Sequence, residues 1–486
     1  MRRIIDSPRS LCLFALLLAA VLPLSCSFLP EREEPLEPEV PGQFSEEGGA
    51  GDFSVDWWKD FGSPELDRLM EGAFAGNFDL RRIEARLRQA RADAVIAGAG
   101  LYPELDLNAA GGAIRARSGS SGNRTTATTE NYSLGLAASY EIDLWGRVRS
   151  TASQAGALVS ASAGDLDAAR ISLAGEVTER WLRAVELHSR LELVGHQLET
   201  NRTYLRLLLL RQRKGLATAL AVFQQEQIVS GTESLVPLLE AELSVTRYEL
   251  AVLLGRPPRA NLELAADSLP ELTPLPRIGL PAMLLENRPD IRAAFFRLES
   301  ADWAVSAARA NRLPALTLTG SASYRSDDFN ELFNSWFAGF AAGLLAPLID
   351  GGRRSAEADR ALAVSDEWLA SYRETVLNAF REVEDALVRE RKQGEYIGSL
   401  GRELTAARNA LAEALLRYRK GDSEYLDVLA SLTSVQTLER EMLAAQRDLV
   451  LYRVGLYRAL GGGWEEEGEN KDEFQMTNDE KMTKSE

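Results

Sequence analysis

The sequence predicts a mainly α-helical protein with a small β part, built from two internal structural repeats. Three observations lead to this fold class: a duplicated order of motifs, long proline-free tracts with helical periodicity, and four short segments of alternating polarity. The chain has 486 residues, of which 45% are hydrophobic. That length and composition are enough for two or three ordinary domains.

The N-terminal segment has the pattern of a bacterial export signal, which we place at residues 1–25. Basic residues precede the apolar run Leu11–Leu22, which is too short to span a bilayer. The end of this run resembles a lipoprotein box, in which Cys26 becomes the lipidated first residue of the mature chain. Pro23 departs from the usual leucine of that box. The alternative is ordinary signal-peptidase cleavage nearby, with Cys26 as an unmodified thiol.

The remaining boundaries follow composition. Residues 26–55 are rich in Pro, Glu and Gly, which predicts a flexible tether. The first repeat is placed at 56–255 and the second at 282–464, with a proline-rich linker at 256–281 between them. The polar, aperiodic segment 465–486 is predicted to be a disordered acidic tail.

The two repeats share motifs in the same order. Asp79-Leu80-Arg81 recurs as Asp290-Ile291-Arg292, and Arg213-Lys214-Gly215 recurs as Arg419-Lys420-Gly421. Between these motifs, each copy carries a proline, a strand pattern and a turn in the same sequence. Since chance similarity between helices does not reproduce that order, we predict a helix, two strands and a long helical hairpin in each copy.

Long helices are predicted where proline is absent, because proline removes a backbone donor and clashes inside a helix. From Gly352 to Tyr418, apolar residues recur mostly three, four or seven positions apart, which predicts a coiled-coil-like helix of about 67 residues, or roughly 100 Å. The matching tract of the first repeat is Arg147–Arg213. Each tract ends at a glycine preceded by basic residues, and return helices are predicted at Leu220–Leu254 and Glu424–Leu460.

Four segments of about ten residues alternate apolar with small or polar side chains, as transmembrane β-strands do. Loops are predicted at Ser118–Thr129 and Arg325–Ser335, between the members of each pair. The alternative is a soluble β-meander, since four strands cannot close a membrane barrel without other chains. The predicted strands are Leu105–Ile114, Tyr132–Ile142, Leu316–Tyr324 and Trp336–Leu345.

Composition excludes several classes of function. The net charge of −17 argues against a nucleic-acid partner. Cys12 and Cys26 are the only cysteines, so no disulfide framework or cysteine metal site can form. The only histidines, His188 and His196, fit helix-surface positions. With no catalytic triad and no phosphate-binding loop, we predict that the chain is not an enzyme and binds no cofactor or metal.

Short motifs follow one another in a set order along both repeats: Asp56-Trp57-Trp58, Asn77-Phe78-Asp79-Leu80, Leu101-Tyr102-Pro103, Asp143-Leu144-Trp145-Gly146-Arg147, Val236-Pro237-Leu238, Leu253-Leu254-Gly255-Arg256-Pro257, Arg288-Pro289-Asp290-Ile291 and Tyr418-Arg419-Lys420-Gly421. This set resembles the TolC-like outer-membrane efflux factors, in their NodT/OprM-like lipoprotein branch, over roughly residues 53–464. The resemblance implies a homotrimer, whose chains contribute four β-strands each to a 12-stranded transmembrane β-barrel. The helical hairpins would form a trimeric α-barrel that continues the β-barrel into the periplasm.

The same resemblance implies a passive exit duct of a tripartite efflux pump. The expected partners are outer-membrane lipid, a periplasmic adaptor protein and an inner-membrane transporter of RND or ABC type. The chain would be lipid-anchored and would span the outer membrane, with a large periplasmic portion. Two alternatives remain open at this point: an exit duct for type I protein secretion, and a membrane-anchored coiled-coil scaffold.

The resemblance also implies a periplasmic gate just past the second glycine turn. Leu426 matches an apolar constriction, Asp427 an acidic position and Tyr418 a tyrosine near the tip, whereas Ala430 replaces a second acid. Converging carboxylates of three chains would repel one another and favour cation binding. The alternative for Asp427 is a solvated acid at a helix start. The turn residues expected to contact the adaptor are Lys214, Gly215, Lys420 and Gly421.

Overall fold

The structure is a computed structural model of the chain. The predicted signal peptide, Cys26, most of the predicted tether, parts of the linker and the acidic tail lie outside the described residues. Those described are 29–30, 38, 41–45, 56–119, 125–259, 262, 264, 268–276, 278, 281 and 283–462.

The chain divides into two compact units, which we describe separately. The sheet unit includes the described parts of residues 1–37, 86–163 and 293–373. The hairpin unit includes the described parts of residues 38–85, 164–292 and 374–486. The helices, in chain order, are α1 (Pro64–Gly76), α2 (Phe78–Ala99), α3 (Arg147–Arg213), α4 (Ala219–Leu253), α5 (Met283–Asn287), α6 (Pro289–Ala310), α7 (Arg353–Lys420) and α8 (Tyr425–Ala459). The strands are β1 (Glu104–Ser118), β2 (Thr125–Ile142), β3 (Ala315–Ser326) and β4 (Trp336–Leu345), and 3-10 helices cover Trp57–Phe61 and Phe329–Asn334.

The long helices that the sequence predicts are confirmed. Helix α3 has 67 residues and the predicted bounds, and α7 has 68 residues. The return helices α4 and α8 have 35 residues each and begin and end next to the predicted positions. All four are followed by a glycine in the left-handed region, where other residues are strained: φ is 70° at Gly215, 68° at Gly255, 83° at Gly421 and 96° at Gly461.

The four predicted strands form one antiparallel sheet in the order β1-β2-β3-β4. The predicted loop Ser118–Thr129 is wrong at both ends, because Ser118 belongs to β1 and β2 already begins at Thr125. Thr126, Thr128 and Thr129 pair with β1, as suits β-branched residues in a strand.

The second predicted loop, Arg325–Ser335, consists largely of a strand end and a 3-10 helix. Strand β3 continues to Ser326, and residues 329–334 form a 3-10 helix whose first turn is capped by Asp328. Leu332 of this helix is buried. Phe329 contacts Tyr132 edge-to-face at 5.5 Å between ring centroids, and Phe333 contacts Tyr324 at 5.3 Å.

The register gives the sheet one mainly apolar face and one face on which small or polar residues predominate. Leu134, Leu136, Ala138 and Tyr140 of β2 share one face, since alternate residues of a strand point to the same side. Their partners on β1 and β3 extend this apolar face. It carries Leu105, Leu107, Ala109, Leu134, Leu136, Ala138, Tyr140, Ile142, Leu316, Leu318, Tyr324, Trp336, Phe340 and Leu344.

The segment that precedes α1 packs its aromatic side chains into the core of the hairpin unit. Trp57 is buried and stacks on Tyr457 of α8, with ring centroids 5.3 Å apart. The indole N–H of the buried Trp181 donates to Glu65 Oε1 at 2.7 Å, which joins α3 to α1. Residue 255 has to be glycine for a further reason, since a Cβ atom there would lie 2.1 Å from the carbonyl oxygen of Gly76.

Two buried arginines join segments within the hairpin unit. The Arg453 guanidinium contacts Glu390 of α7 at 2.6 Å and donates to the carbonyl oxygen of Thr273 in the linker at 2.8 Å. Arg288 pairs with Asp290 and Glu382 at 2.6 and 2.8 Å. Across the described part of the chain, no helix combines the length and the apolar character needed to cross a membrane.

Candidate functional site

The two turns that end α3 and α7 share one hydrogen-bond pattern. After α3, the Gly215 N–H donates to the Gln212 carbonyl at 2.9 Å, and the Leu216 N–H donates to the Arg211 carbonyl at 2.8 Å. This pair of bonds is a Schellman motif, which satisfies the last carbonyl groups of a helix. After α7 the same bonds run from Gly421 to Tyr418 (3.2 Å) and from Asp422 to Arg417 (2.9 Å). Lys214 and Lys420 are exposed at these turns.

Tyr425, the first residue of α8, is an anchor that the sequence did not reveal. Its ring is buried in an apolar cluster with Leu208 of α3, Val222 of α4 and Val428 of α8. Its hydroxyl donates to Gln225 Oε1 of α4 at 2.7 Å. Burial, and to a smaller degree the neighbouring tyrosines, raise the pKa of the Tyr425 phenol above its usual value. The first turn of α8 is thereby tied to α4.

Tyr418 lies in the last turn of α7, half-buried against this cluster. Its ring meets that of Tyr425 at 5.3 Å and 63°, and the Arg211 guanidinium stands 4.6 Å above its centroid. This stacking is a cation–π contact between α3 and α7. The Tyr418 hydroxyl is buried without a hydrogen-bond partner among the described residues. The structure thus places this predicted gate residue within the packing of the two hairpins.

Leu426 and Asp427 follow Tyr425 and lie on the exposed side of the first turn of α8. The Leu426 side chain is 53% exposed although it is apolar. It lines a groove of about 650 Å³ together with Ile228 of α4, Glu403 of α7 and Ala430 of α8. Asp427 makes no ion pair within the described residues, and its carbonyl accepts a bond from the Ser431 hydroxyl at 2.9 Å. Both predicted gate residues are therefore available for contacts outside the chain.

Amide side chains form a second, buried network further from the turns. Asn201 of α3, which is fully buried, exchanges two hydrogen bonds with Gln436 of α8, at 3.2 and 2.9 Å. It also donates to Thr232 of α4 at 3.0 Å. Gln225 is equally buried. Its side-chain N–H donates to the main-chain carbonyl of Asn201 at 2.9 Å, and its side-chain oxygen accepts the Tyr425 bond described above.

The network continues along the same interface. Gln197 Nε2 donates to the Gln436 carbonyl and to Glu439 Oε2, both at 3.1 Å, and Gln197 Oε1 accepts from Arg440 at 2.6 Å. Arg408 of α7 contacts the other carboxylate oxygen of Glu439 at 2.9 Å. All four long helices are thus joined by polar contacts. A signal was present in the sequence, since Gln197 and Asn201 occupy one helix face at a spacing of four.

Metal-binding side chains are not clustered in the described residues. These residues contain no group of three His, Cys, Asp or Glu side chains placed to hold a metal ion. His188 lies half-exposed on α3, 3.8 Å from Glu192 one turn later, as an ordinary surface pair does.

Comparison with known proteins gives matches along both halves of the chain. The family model described as outer membrane efflux protein matches residues 69–256 and 280–462. The pyoverdine export outer membrane protein OpmQ of Pseudomonas aeruginosa is 38% identical over 426 residues, which cover 84% of this chain and 87% of that protein. The outer membrane protein OprJ of Pseudomonas aeruginosa is 32% identical over 471 residues, which cover 93% and 96% of the two chains.

Solved structures are similar over the same span. The outer-membrane channel OprN superposes with a TM-score of 0.81 at 30% identity, covering 90% of this chain and 100% of that one. The CusC structure, described in terms of transmembrane channel formation, gives 0.78 at 29% identity, with the same coverage of both chains.

Replacement of Tyr425 by Phe tests whether its hydroxyl anchors α8. The variant should lower the free energy of unfolding by about 1–2 kcal/mol, because Gln225 Oε1 is left buried without its donor. Thermal unfolding of the purified protein in detergent, followed by circular dichroism, measures this. Tyr396→Phe is the control, since that tyrosine is 49% exposed. Equal melting temperatures for Y425F and wild type would refute the anchoring role.

The Tyr425 phenol should also make the stability of the protein depend on pH. The pKa of Tyr425 is raised above 10.0 in the folded chain, so the unfolded chain loses this proton first as pH rises. The contribution of Tyr425 to the free energy of unfolding should therefore be fully present below about pH 10 and should decline above it. Y425F should lose less stability than wild type over that range.

Proposed function

The chain belongs to the outer membrane efflux protein family, and on that basis we propose that it is the outer-membrane exit duct of a tripartite efflux pump. It would passively conduct small molecules from an inner-membrane transporter and a periplasmic adaptor to the outside. The observation that carries this proposal is the family match over both halves, together with relatives aligned over most of their length. In such a pump the energy comes from the transporter, so the duct itself needs no catalytic group.

We propose small toxic compounds, such as drugs, as the cargo. Relatives of this chain are named for pyoverdine export, solvent efflux, toluene efflux and cation efflux. These cargoes share little chemistry. A wide channel that lets all of them pass, while the transporter selects the cargo, accounts for that diversity.

The proposed working state is a homotrimer, in which three sheets close one 12-stranded barrel across the outer membrane. The open sheet supports this, because β1 and β4 pair with a neighbour on one side only within the described residues. The apolar face supports it too. From Leu344 to Trp336 this face extends along β4 by about 27 Å, and at a strand tilt of 35–45° it covers about 19–22 Å of the apolar band, which is about 25 Å tall in outer-membrane barrels.

We propose that the chain is built from two structural repeats, 56–255 and 282–464, joined by the linker 256–281. The family model matches twice, once within each range apart from short overhangs. Helices α2 and α6 each have 22 residues, and the hairpins that follow the two strand pairs have nearly equal lengths.

At the tip of the hairpins we propose the periplasmic gate. Leu426 would narrow the bore and Asp427 would line its edge, with Tyr418 supporting α7 from within the packing. The exposure of both residues and the anchoring of Tyr425 beside them support this assignment. The turns at Lys214, Gly215, Lys420 and Gly421 would contact the adaptor.

We also propose that Cys26 is lipidated and anchors the chain in the outer membrane. The Leu29 carbonyl accepts a bond from Arg309 at 3.3 Å. Arg309 lies at the end of α6, shortly before β3 begins. Leu29, which follows Cys26 by three positions in the sequence, therefore lies near the start of β3, and this supports an anchor close to the sheet.

The duct proposal predicts that the purified mature chain forms a trimer that resists dissociation by SDS and gives stepwise conductance in planar lipid bilayers. The physical reason is that the closed barrel leaves no strand edge unpaired. A boiled sample is the control for both measurements. A mature chain that is soluble without detergent and wholly helical by circular dichroism would contradict the proposal.

The gate proposal predicts different effects for two substitutions. Asp427→Ala should change conductance and reduce its sensitivity to divalent cations, because converging carboxylates attract them. Leu426→Ala should raise passive entry of large antibiotics such as vancomycin into cells. Matched controls are Asp422→Ala, an exposed acid at the turn, and Leu416→Ala, an exposed leucine of α7. If the two gate variants behave as these controls do, the gate lies elsewhere.

The lipidation proposal predicts that mass spectrometry of the mature N-terminus finds a diacylglyceryl-modified Cys26. Cys26→Ser should abolish that modification and release the anchor, while the barrel keeps the chain in the membrane. An unmodified N-terminal peptide that begins at another residue would show that ordinary signal-peptidase cleavage occurs instead.

A further inference from the structure

The hairpin of β1 and β2 extends beyond the rest of the sheet. The last pair between β2 and β3 is Tyr132↔Ser326, whereas β1 and β2 continue to pair from Gly112↔Asn131 as far as Ser118↔Thr125. We call this segment, residues 112–118 with 125–131, the projecting ribbon. It has no third strand beside it among the described residues, so its two faces and both edges are open to the surroundings.

Aromatic residues mark the level at which the ribbon leaves the sheet. Tyr324 is paired with Leu134 and with Trp336, so these side chains share one level of the apolar face. Tyr132 lies on the same face, one alternation further along β2. Tyr and Trp side chains concentrate at the interface between hydrocarbon and headgroups, and such a row flanks the apolar band of membrane barrels.

Two arginines continue the same face along the ribbon. Arg115 is paired with Thr128 and Arg117 with Thr126, and their odd numbers place them on the side of Leu105 and Leu107. Both are exposed and make no ion pair with the described residues. Glu130 is the one acid that the described ribbon carries on this face, and it accepts a bond from the Tyr132 hydroxyl at 3.1 Å.

The distances fit a headgroup contact. Arg115 and Arg117 lie about 14 and 20 Å beyond the level of Tyr132 along the strand, and a strand tilt of 35–45° reduces these heights to about 10 and 15 Å. A long arginine side chain can also lean back toward the interface, which shortens the gap further.

We propose that Arg115 and Arg117 bind the phosphate groups of lipids in the outer leaflet of the outer membrane. This inference rests on the proposed function, because it requires the apolar face of the sheet to contact lipid. Guanidinium groups form paired, charge-assisted hydrogen bonds with phosphate, and two of them on alternate positions present four donors or more to one lipid surface. The occupant is thus an anionic, phosphorylated lipid headgroup.

The test uses the full-length protein in detergent, titrated with diphosphoryl lipid A and, separately, with the same lipid after removal of both phosphates. Native mass spectrometry counts the bound lipid. The double variant Arg115→Gln/Arg117→Gln should bind the diphosphoryl lipid more weakly, by roughly fivefold for each arginine removed. Added salt should weaken binding to wild type and have less effect on the variant.

Arg325→Gln is the matched control. Arg325 is an exposed arginine near the same end of the sheet, and its pairing with Ser133 places it on the opposite face. It should bind lipid as wild type does. The proposal is overturned if the double variant keeps wild-type affinity, if R325Q loses as much, or if wild type binds both lipids equally.

Conductance in planar bilayers separates this inference from the exit duct. A wild-type chain that conducts, together with a double variant of unchanged lipid affinity, overturns the lipid site alone. A wild-type chain that neither inserts nor conducts overturns the duct, and with it the placement of the two arginines.

Discussion

The buried hydrogen bonds among Asn201, Gln225 and Gln436 set the register of the long helices, and the rest of the hairpin unit depends on that register. Leucines spaced seven apart would tolerate a shift of one helical turn, because each leucine finds another apolar neighbour. Amides do not, since a shifted amide leaves donors and acceptors buried without partners, at about 1–3 kcal/mol for each group. With the register set, the place where α8 begins is set as well. The position of Leu426 and Asp427 along the hairpin is then fixed, and so is the exposed side of α8 on which they lie.

Much of the fold follows from local sequence, because glycine and proline act locally. The bounds of α3 and β4 were predicted to the residue, and Gly215 explains why α3 ends where it does. The two pairs of strands also followed from the duplicated pattern, whereas the pairing of β2 with β3 did not. The family resemblance located Leu426, Asp427 and Tyr418, and composition alone would not have singled them out.

What could not be predicted depends on contacts between distant segments. Tyr425 reads as one more apolar residue at a helix start, and its bond to Gln225 joins residues 200 positions apart. The 3-10 helix at Phe329–Asn334 likewise depends on Tyr132, far along the chain. Threonines at 126, 128 and 129 look like loop residues beside glycine and serine. Their partners on β1 make them strand residues instead.

The open edges of the sheet have a consequence for how the chain reaches its working state. Every residue of β1 and β4 is exposed, and each strand leaves one row of backbone donors and acceptors without a neighbour in the described chain. Such a row is a template for any other strand that meets it. Before the proposed trimer forms, a single chain could therefore pair with other copies of itself in the wrong register or number. Helical hairpins with local contacts form early and slowly formed sheets late, which shortens that exposed interval. In the proposed trimer, closure of the barrel would pair both edges and so protect the chain against aggregation.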